Sequence, residues 1–468
     1  MNPKVTVYIT NYNYGKFISK AIDSVIKQTF KKIEILIIDD GSTDNSKKII
    51  NSYNRKYPFI NTIFNKNDGL IKTCNKALRA AKGEYILRLD ADDWLDKNAI
   101  EIMFNKLEKN KDRELIFPDY YEVNATGNIL HTVRRHDFEN VKLYDAPAHG
   151  ACTLFRTRTL ILNGGYDENF TCQDGVDIWL RFYKKFKIMN INIPLFYYRR
   201  HGVNLTENKK KILENKNKIL FKNNSNKKKK IIAFLPIRGE KYEKFTKIFS
   251  KLGSKNLIDW TIENLLEIKN VDYVVISSPD KKVLDYVGKK KNKKIIPLKR
   301  HLDLSTQGVL IDDSVKEAVE KLKIKIGYEA DYIVVSKFLC PFRNHKHIEN
   351  AINTIQIFNL DIVYGVSTKN SLFFKHNGRT LKPLRNYDKT QITTKNKKIQ
   401  MKIENEEIFI ENGDFTVNNV DYFFNNSKKN LRIGHEMLND ISSFKINNKF
   451  DFEIAQQIAK NYKKFTSF

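Results

Sequence analysis

The chain is 468 residues long, room for two or three domains, and its 83 Lys and Arg against 54 Asp and Glu give a formal charge of +29. A hydrophobic fraction of 41% excludes wholesale disorder. Four widely spaced cysteines, Cys74, Cys152, Cys172 and Cys340, exclude a disulfide framework and a CxxC zinc or redox site, and read as idle thiols of a reducing cytoplasm.

Val5-Thr6-Val7-Tyr8-Ile9 reads as a buried strand, and apolar residues then recur at helical spacing from Phe17 to Gln28. A second buried strand over 33–38 runs into Asp39-Asp40-Gly41-Ser42-Thr43-Asp44, where Ser42 or Thr43 is placed to cap the next helix. A short strand over 61–64 follows, then a helix over 70–81 with Gly83 as its C-cap. A fourth strand over 84–89 ends in Asp90-Ala91-Asp92-Asp93. Near-continuous apolar strands alternating with helices predict a mostly parallel sheet covered on both faces. Residues 206–230 break the pattern with ten Lys against two Glu. They read as a helix tail and a linker solvated by its charge, with a membrane-surface contact as the sharper alternative. A second α/β series starts at Ile231, with strands over 231–236, 273–277, 331–335 and 361–364. Its helices fall over 257–266, 314–322 and 452–463. The expected fold is α/β: two tandem Rossmann-like domains with mostly parallel sheets, over 1–205 and 231–468, joined by 206–230.

The start of the chain has no signal-peptide profile, and no stretch approaches the ~18 apolar residues of a membrane span. The expected location is the cytoplasm or the inner face of the membrane. General Lys and Asn enrichment accounts for the charge first. Peripheral contact with an anionic membrane comes second, at ~1 kcal/mol per Lys near the surface. No zinc finger, RNP-type strand or basic zipper helix is present, so nucleic acid is not an expected partner.

Open α/β sheets bind ligands outside the carboxyl ends of their strands. Asp39 and Asp40 follow the second strand, and Asp90, Asp92 and Asp93 follow the fourth. Carboxylates gathered at one rim repel each other and call for a hard cation, Mg²⁺ or Mn²⁺, which would bridge to phosphate oxygens. No GxGxxG or GxxxxGK[ST] supports a dinucleotide or P-loop reading.

Val5 to Thr10 with Asn11-Tyr12-Asn13, then Ile38-Asp39-Asp40-Gly41-Ser42-Thr43-Asp44, then Leu89-Asp90-Ala91-Asp92-Asp93, resemble the inverting glycosyltransferases of family 2, with the GT-A fold, over about residues 3–205. The resemblance implies transfer of a sugar from a nucleotide-diphosphate donor. Thr10, Tyr12 and Asp39 or Asp40 would hold nucleobase and ribose. Asp90, Asp92 and Asp93 would match the DxD motif for ribose and metal-diphosphate, with Asp92 the main metal contact. Gln173-Asp174-Gly175-Val176-Asp177-Ile178-Trp179-Leu180-Arg181 looks like the family's acidic pair and its following helix, with Gln173 in place of a Glu and one extra residue before Asp177. Asp174 matches the general base. Asp177 reads as a structural partner and Trp179 as core or pocket wall. His149 and Gln173 are candidates to line the acceptor or donor-sugar pocket, and Arg200 or His201 to bracket the diphosphate.

The second half resembles cytidylyltransferases that make CMP-activated acidic sugars, through Leu235-Pro236-Ile237-Arg238-Gly239, Leu257 to Ile262, Arg300 to Ser305, Cys340-Pro341-Phe342-Arg343 and Asn412-Gly413-Asp414-Phe415. Arg238 and Gly239 would belong to the nucleotide loop. That loop continues with Glu240-Lys241-Tyr242 instead of a phosphate-cradling stretch, and the metal-binding Asp-Ile-Asp reads Lys445-Ile446-Asn447. This half is therefore expected to keep the fold and to have lost nucleotidyl transfer. The whole chain is expected to be a metal-dependent inverting glycosyltransferase of surface polysaccharide synthesis, acting on a nucleotide-sugar donor and a glycan or lipid-linked acceptor. The alternatives are a bifunctional enzyme that also makes a CMP-activated acidic sugar, and a non-catalytic assembly protein.

Overall fold

The computed structural model describes residues 2–133, 150–202, 208–224, 228–239, 248–306, 309–368, 374–376, 381–383, 409–424 and 431–462. The chain forms two compact units, Met1–Asn215 with Ser371–Glu406, and Lys216–Asn370 with Glu407–Phe468.

In the first unit, β1 (Val5–Asn11) is buried along its whole length, as a central strand covered on both faces must be. It pairs in parallel with β2 (Ile33–Asp39) on one side and β4 (Tyr85–Asp90) on the other, and β3 (Ile60–Phe64) adds to β2. Helix α1 (Ile18–Ile26) buries Ile18, Ala21, Ile22 and Val25, one stripe at helical spacing. Helices α2 (Ser46–Lys56) and α3 (Leu70–Ala80) follow in the same alternation. Beyond β4 the sheet becomes mixed. β5 (Trp94–Leu95), α4 (Ala99–Lys109), β6 (Arg113–Val123), β7 (Ile129–Val133), β8 (Leu154–Arg156), α5 (Thr157–Leu162), α6 (Asp174–Lys185) and β9 (Lys187–Arg199) complete it. The strand order is β3-β2-β1-β4-β8-β6-β9-β5, with β7 on β6, and β8 runs antiparallel to both β4 and β6. The parallel half is the part whose strands read clearly as apolar runs.

Two local expectations fail. Gly83 is not a left-handed C-cap, since α3 ends at Ala80 with an extended Ala81. A Cβ on Gly83 would stand 2.4 Å from the Thr6 amide nitrogen, so glycine is needed for the backbone approach to β1. Neither Ser42 nor Thr43 caps α2. Asp44 accepts from the Ser46 amide at 2.9 Å, while Ser42 Oγ accepts from the Asn13 amide and from Asn11 Nδ2.

The division between the units falls inside α7 (Lys209–Asn223). Residues expected to be solvated by their charge are instead docked. Within the second unit Lys216 Nζ lies 2.8 Å from Glu436 Oε2, Asn217 Nδ2 donates to Glu349 Oε2, and Asn224 Nδ2 donates to Asn353 Oδ1. Amides seven residues apart share one helix face, a pattern masked by the surrounding lysines.

The second unit contains β10 (Ile231–Pro236), β11 (Lys251–Leu252), β12 (Lys255–Asn256), α8 (Leu257–Leu266), β13 (Tyr273–Ser278), α9 (Lys281–Gly288), β14 (Ile295–Lys299), α10 (Ile311–Ile326), β15 (Tyr332–Ser336), α11 (His345–Ile357) and β16 (Ile362–Thr368). The strands β17 (Phe374–His376) and β18 (Leu381–Pro383), which belong to the first unit, pair with each other. Then come β19 (Phe409–Asn419), α12 (Asp421–Phe424), β20 (Ile433–Met437) and α13 (Lys449–Lys460). The sheet order is β14-β13-β10-β15-β19-β16-β20, parallel except for β19. Among the described residues no helix is long and apolar enough to cross a membrane.

Candidate active site

The register of β1 sets the site. Asn11 stands opposite Asp39 of β2, and Thr10 opposite Asp90 of β4, so both acidic strand ends reach one rim. Asp39 is fully buried and spent on structure. Asn11 Nδ2 donates to its Oδ2 at 2.7 Å, and the Ser42 amide to its Oδ1 at 2.9 Å. Asp40 accepts from the amides of Asp68 and Gly69 and opens on a cavity of about 930 Å³. Thr10, Tyr12, Asp90, Asp92, Gln173 and Asp174 line the same cavity.

Asp90 accepts from Thr10 Oγ1 at 3.0 Å. Its pKa is raised by burial, opposed by Arg88 and reinforced by Asp92 and Asp174. Asp92 Oδ2 lies 3.0 Å from His201 Nε2. Asp93 turns away from the cavity and accepts from the Arg199 amide at 2.8 Å. Burial and the Asp92 and Asp90 charges push its carboxyl well up. Burial and the same three carboxylates raise the Tyr14 phenol. Two of these carboxylates, Asp90 and Asp92, face the open space of the cavity. That donor set suits a hard divalent ion held from one side, with its other positions left for ligand oxygens. Among the described residues no group of three or more His, Cys, Asp or Glu side chains is placed to hold a metal ion by itself.

Asp174 is the first residue of α6, preceded by Gln173 in the left-handed conformation (φ 64°). That kink puts both side chains on the cavity. Arg88, which the sequence reasoning passed over, joins the two acidic groups: its Nη1 is 2.5 Å from Asp174 Oδ2 and its Nε 3.1 Å from Asp90 Oδ1. The available signal was a lone charge inside the apolar run Tyr85-Ile86-Leu87-Arg88-Leu89.

Other sequence candidates lie elsewhere. Arg200 pairs with Glu122 at 3.2 Å and is not among the residues lining the cavity; its neighbour His201 is the one placed against Asp92. Trp179 is buried and stacks on Tyr183, and Asp177 pairs with Arg181 at 2.8 Å. His149 lies outside the described residues.

In the second unit Arg238 is exposed, and Gly239 (φ 98°) leaves room for Asp280, whose Cβ would stand 2.8 Å from an added Cβ. Glu240, Lys241 and Tyr242 lie outside the described residues. Arg300 donates to the Ile237 carbonyl oxygen at 2.9 Å, and burial, opposed by Glu317 and reinforced by Arg238, pulls it down to about 10. Asp414, itself left-handed (φ 44°), takes Lys445 Nζ at 2.9 Å and Lys337 Nζ at 3.4 Å. Two ammonium groups occupy the surroundings of this carboxylate, so these residues do not fit a divalent cation.

A family model described as Glycosyl transferase family 2 matches residues 6–161, and one described as Cytidylyltransferase matches residues 246–425. A chondroitin synthase of Pasteurella multocida is 25% identical over 397 residues, 80% of this chain and 40% of that protein. The chain therefore spans well under half of that relative's length. Glycosyltransferase GlyG of Streptococcus pneumoniae is 32% identical over 219 residues, 43% of this chain and 72% of that protein. The solved structure of S. aureus TarS is 21% identical, with 47% of this chain and 39% of that one aligned at a TM-score of 0.39.

Proposed function

The chain belongs to glycosyl transferase family 2, and from that premise we propose that it moves a sugar from a nucleoside-diphosphate donor to a glycan or lipid-linked acceptor, with inversion, in the building of a surface polysaccharide. The observation that carries this reading is the meeting of Asp90, Asp92 and Asp174, from two distant parts of the chain, on one cavity. Thr10, Tyr12 and Asp40 line the side assigned to the nucleoside. Mg²⁺ or Mn²⁺ held by Asp92 with Asp90 would neutralise charge on the departing diphosphate. Asp174 takes the proton of the acceptor hydroxyl as that oxygen bonds to the anomeric carbon and the bond to the diphosphate breaks. The basic surface suits an acceptor at an anionic membrane.

The test is incubation of the full chain with UDP-, GDP-, dTDP- and CDP-activated hexoses and Mn²⁺, following nucleoside diphosphate release and the anomeric configuration of the product by NMR. Inverted product and loss of turnover in EDTA are expected. A retained configuration, or turnover indifferent to EDTA, would remove the reading.

The cytidylyltransferase match favours a second activity, formation of a CMP-activated acidic sugar from CTP. It ends at residue 425, short of Lys445, and Lys445 on Asp414 opposes metal-dependent nucleotidyl transfer. We assign the second unit a binding or scaffolding role. Pyrophosphate release from CTP, Mg²⁺ and acidic sugars by the full chain would reverse that assignment.

A further inference from the structure

Arg88 stands in β4 with 4% of its surface exposed. A guanidinium inside a sheet is tolerated only where carboxylates meet it. Two do, from elements far apart in sequence. Nη1 donates to Asp174 Oδ2 at 2.5 Å and Nη2 to Asp90 Oδ2 at 3.5 Å, while Nε lies 3.1 Å from Asp90 Oδ1 as an ion pair without a hydrogen bond. A planar fork with fixed N–H directions sets both distance and angle between the groups it joins; a single ammonium sets neither. Gly150 closes the arrangement, since a Cβ there would lie 2.8 Å from both Arg88 Nη2 and Asp174 Oδ2.

Both joined carboxylates line the cavity. Asp174 meets Arg88 through Oδ2, which leaves Oδ1 for the acceptor hydroxyl's proton. We infer that Arg88 is a positioning residue: it holds the base at a fixed separation and angle from the donor-side carboxylate, and Gly150 is the small residue that lets the pair close. This rests on the reading of Asp174 as the base. Arg88 itself transfers no proton. Its effect is on geometry, where a displacement of ~1 Å can cost ~100-fold in rate.

The experiment compares full-length wild type with Arg88→Lys, Gly150→Ala and Asp174→Asn, using the same panel of nucleotide-activated hexoses with Mn²⁺, transfer to water as the basal reaction, and thermal melting alongside. Arg88→Lys and Gly150→Ala are expected to lower kcat by ~30-fold or more while the donor KM stays within about threefold, the split that marks an interaction needed only in the transition state. A merely structural Arg88 would lower the melting temperature and leave kcat of the folded fraction unchanged. Arg88→Lys and Gly150→Ala with near-wild-type kcat, or with the loss carried by KM, overturn the inference. Should Arg88→Lys fail to fold, Gly150→Ala decides, because it strands no buried charge. An Asp174→Asn variant with wild-type kcat overturns the base assignment instead, and the positioning role falls with it. A wild-type chain inert toward every donor overturns the proposed function itself.

Discussion

Asp39 and Asp40 are neighbours in sequence with opposite employment. Asp39 is enclosed by Asn11 and the Ser42 amide, whereas Asp40 opens on the cavity. Asp39→Ala strands those donors, and a loss of ~1–3 kcal/mol is expected from urea unfolding. Pattern alone could not separate the pair, because which of two adjacent carboxylates turns inward is set by partners on another strand. A second buried acid, Glu436, gives a pH prediction. Burial would raise its pKa, but Lys216 and His347 outweigh that and hold it at about 2. An unfolded Glu titrates near 4.3, so its contribution is complete above about pH 4.5 and lost as pH falls toward 2, on the order of 3 kcal/mol in all. Unfolding measured between pH 6 and 3 is expected to weaken more steeply in wild type than in Glu436→Gln.

Among the elements, β1, β2, β4 and α3 were legible because their hydrophobic periods are unambiguous. β8 was not: three residues held between β4 and β6 carry no period of their own, and their pairing is wholly non-local. Helix α7 was read by its charge, although it is docked by Asn217 and by the buried Ile219 and Leu220. Asn217→Ala leaves the buried Glu349 short of a donor and is expected to cost ~1–3 kcal/mol, while the exposed Lys218→Ala stays within about 0.5 kcal/mol. Equal effects by chemical denaturation would show that the docking carries no energy. Gly83 was recognised as necessary for the wrong reason. Gly83→Ala forces its methyl into the β1 backbone, and a loss of ~1–3 kcal/mol is expected. The acidic rim was legible as a rim; Arg88 was not, because its partner Asp174 lies 86 residues away.

For the whole molecule, the two sheets carry opposite answers to the need for a cation: open carboxylates in the first unit, lysines seated on Asp414 in the second. Melting of the full chain is expected to rise with UDP or GDP plus Mn²⁺, by an increment worth ~2.7 kcal/mol at a hundredfold excess over Kd, and to return with EDTA. A nucleotide-bound transition that persists in EDTA with CTP or CMP would belong to the second unit. β1 stands between β2 and β4, so the tips of those strands are two ladder spacings apart, roughly 9.6 Å. That interval is a gauge set by backbone pairing and not by the side chains at the rim. Variants that reshape the cavity therefore act through the side chains and loops that flank the gauge, while the span between the two acidic tips passes unaltered from one to the next.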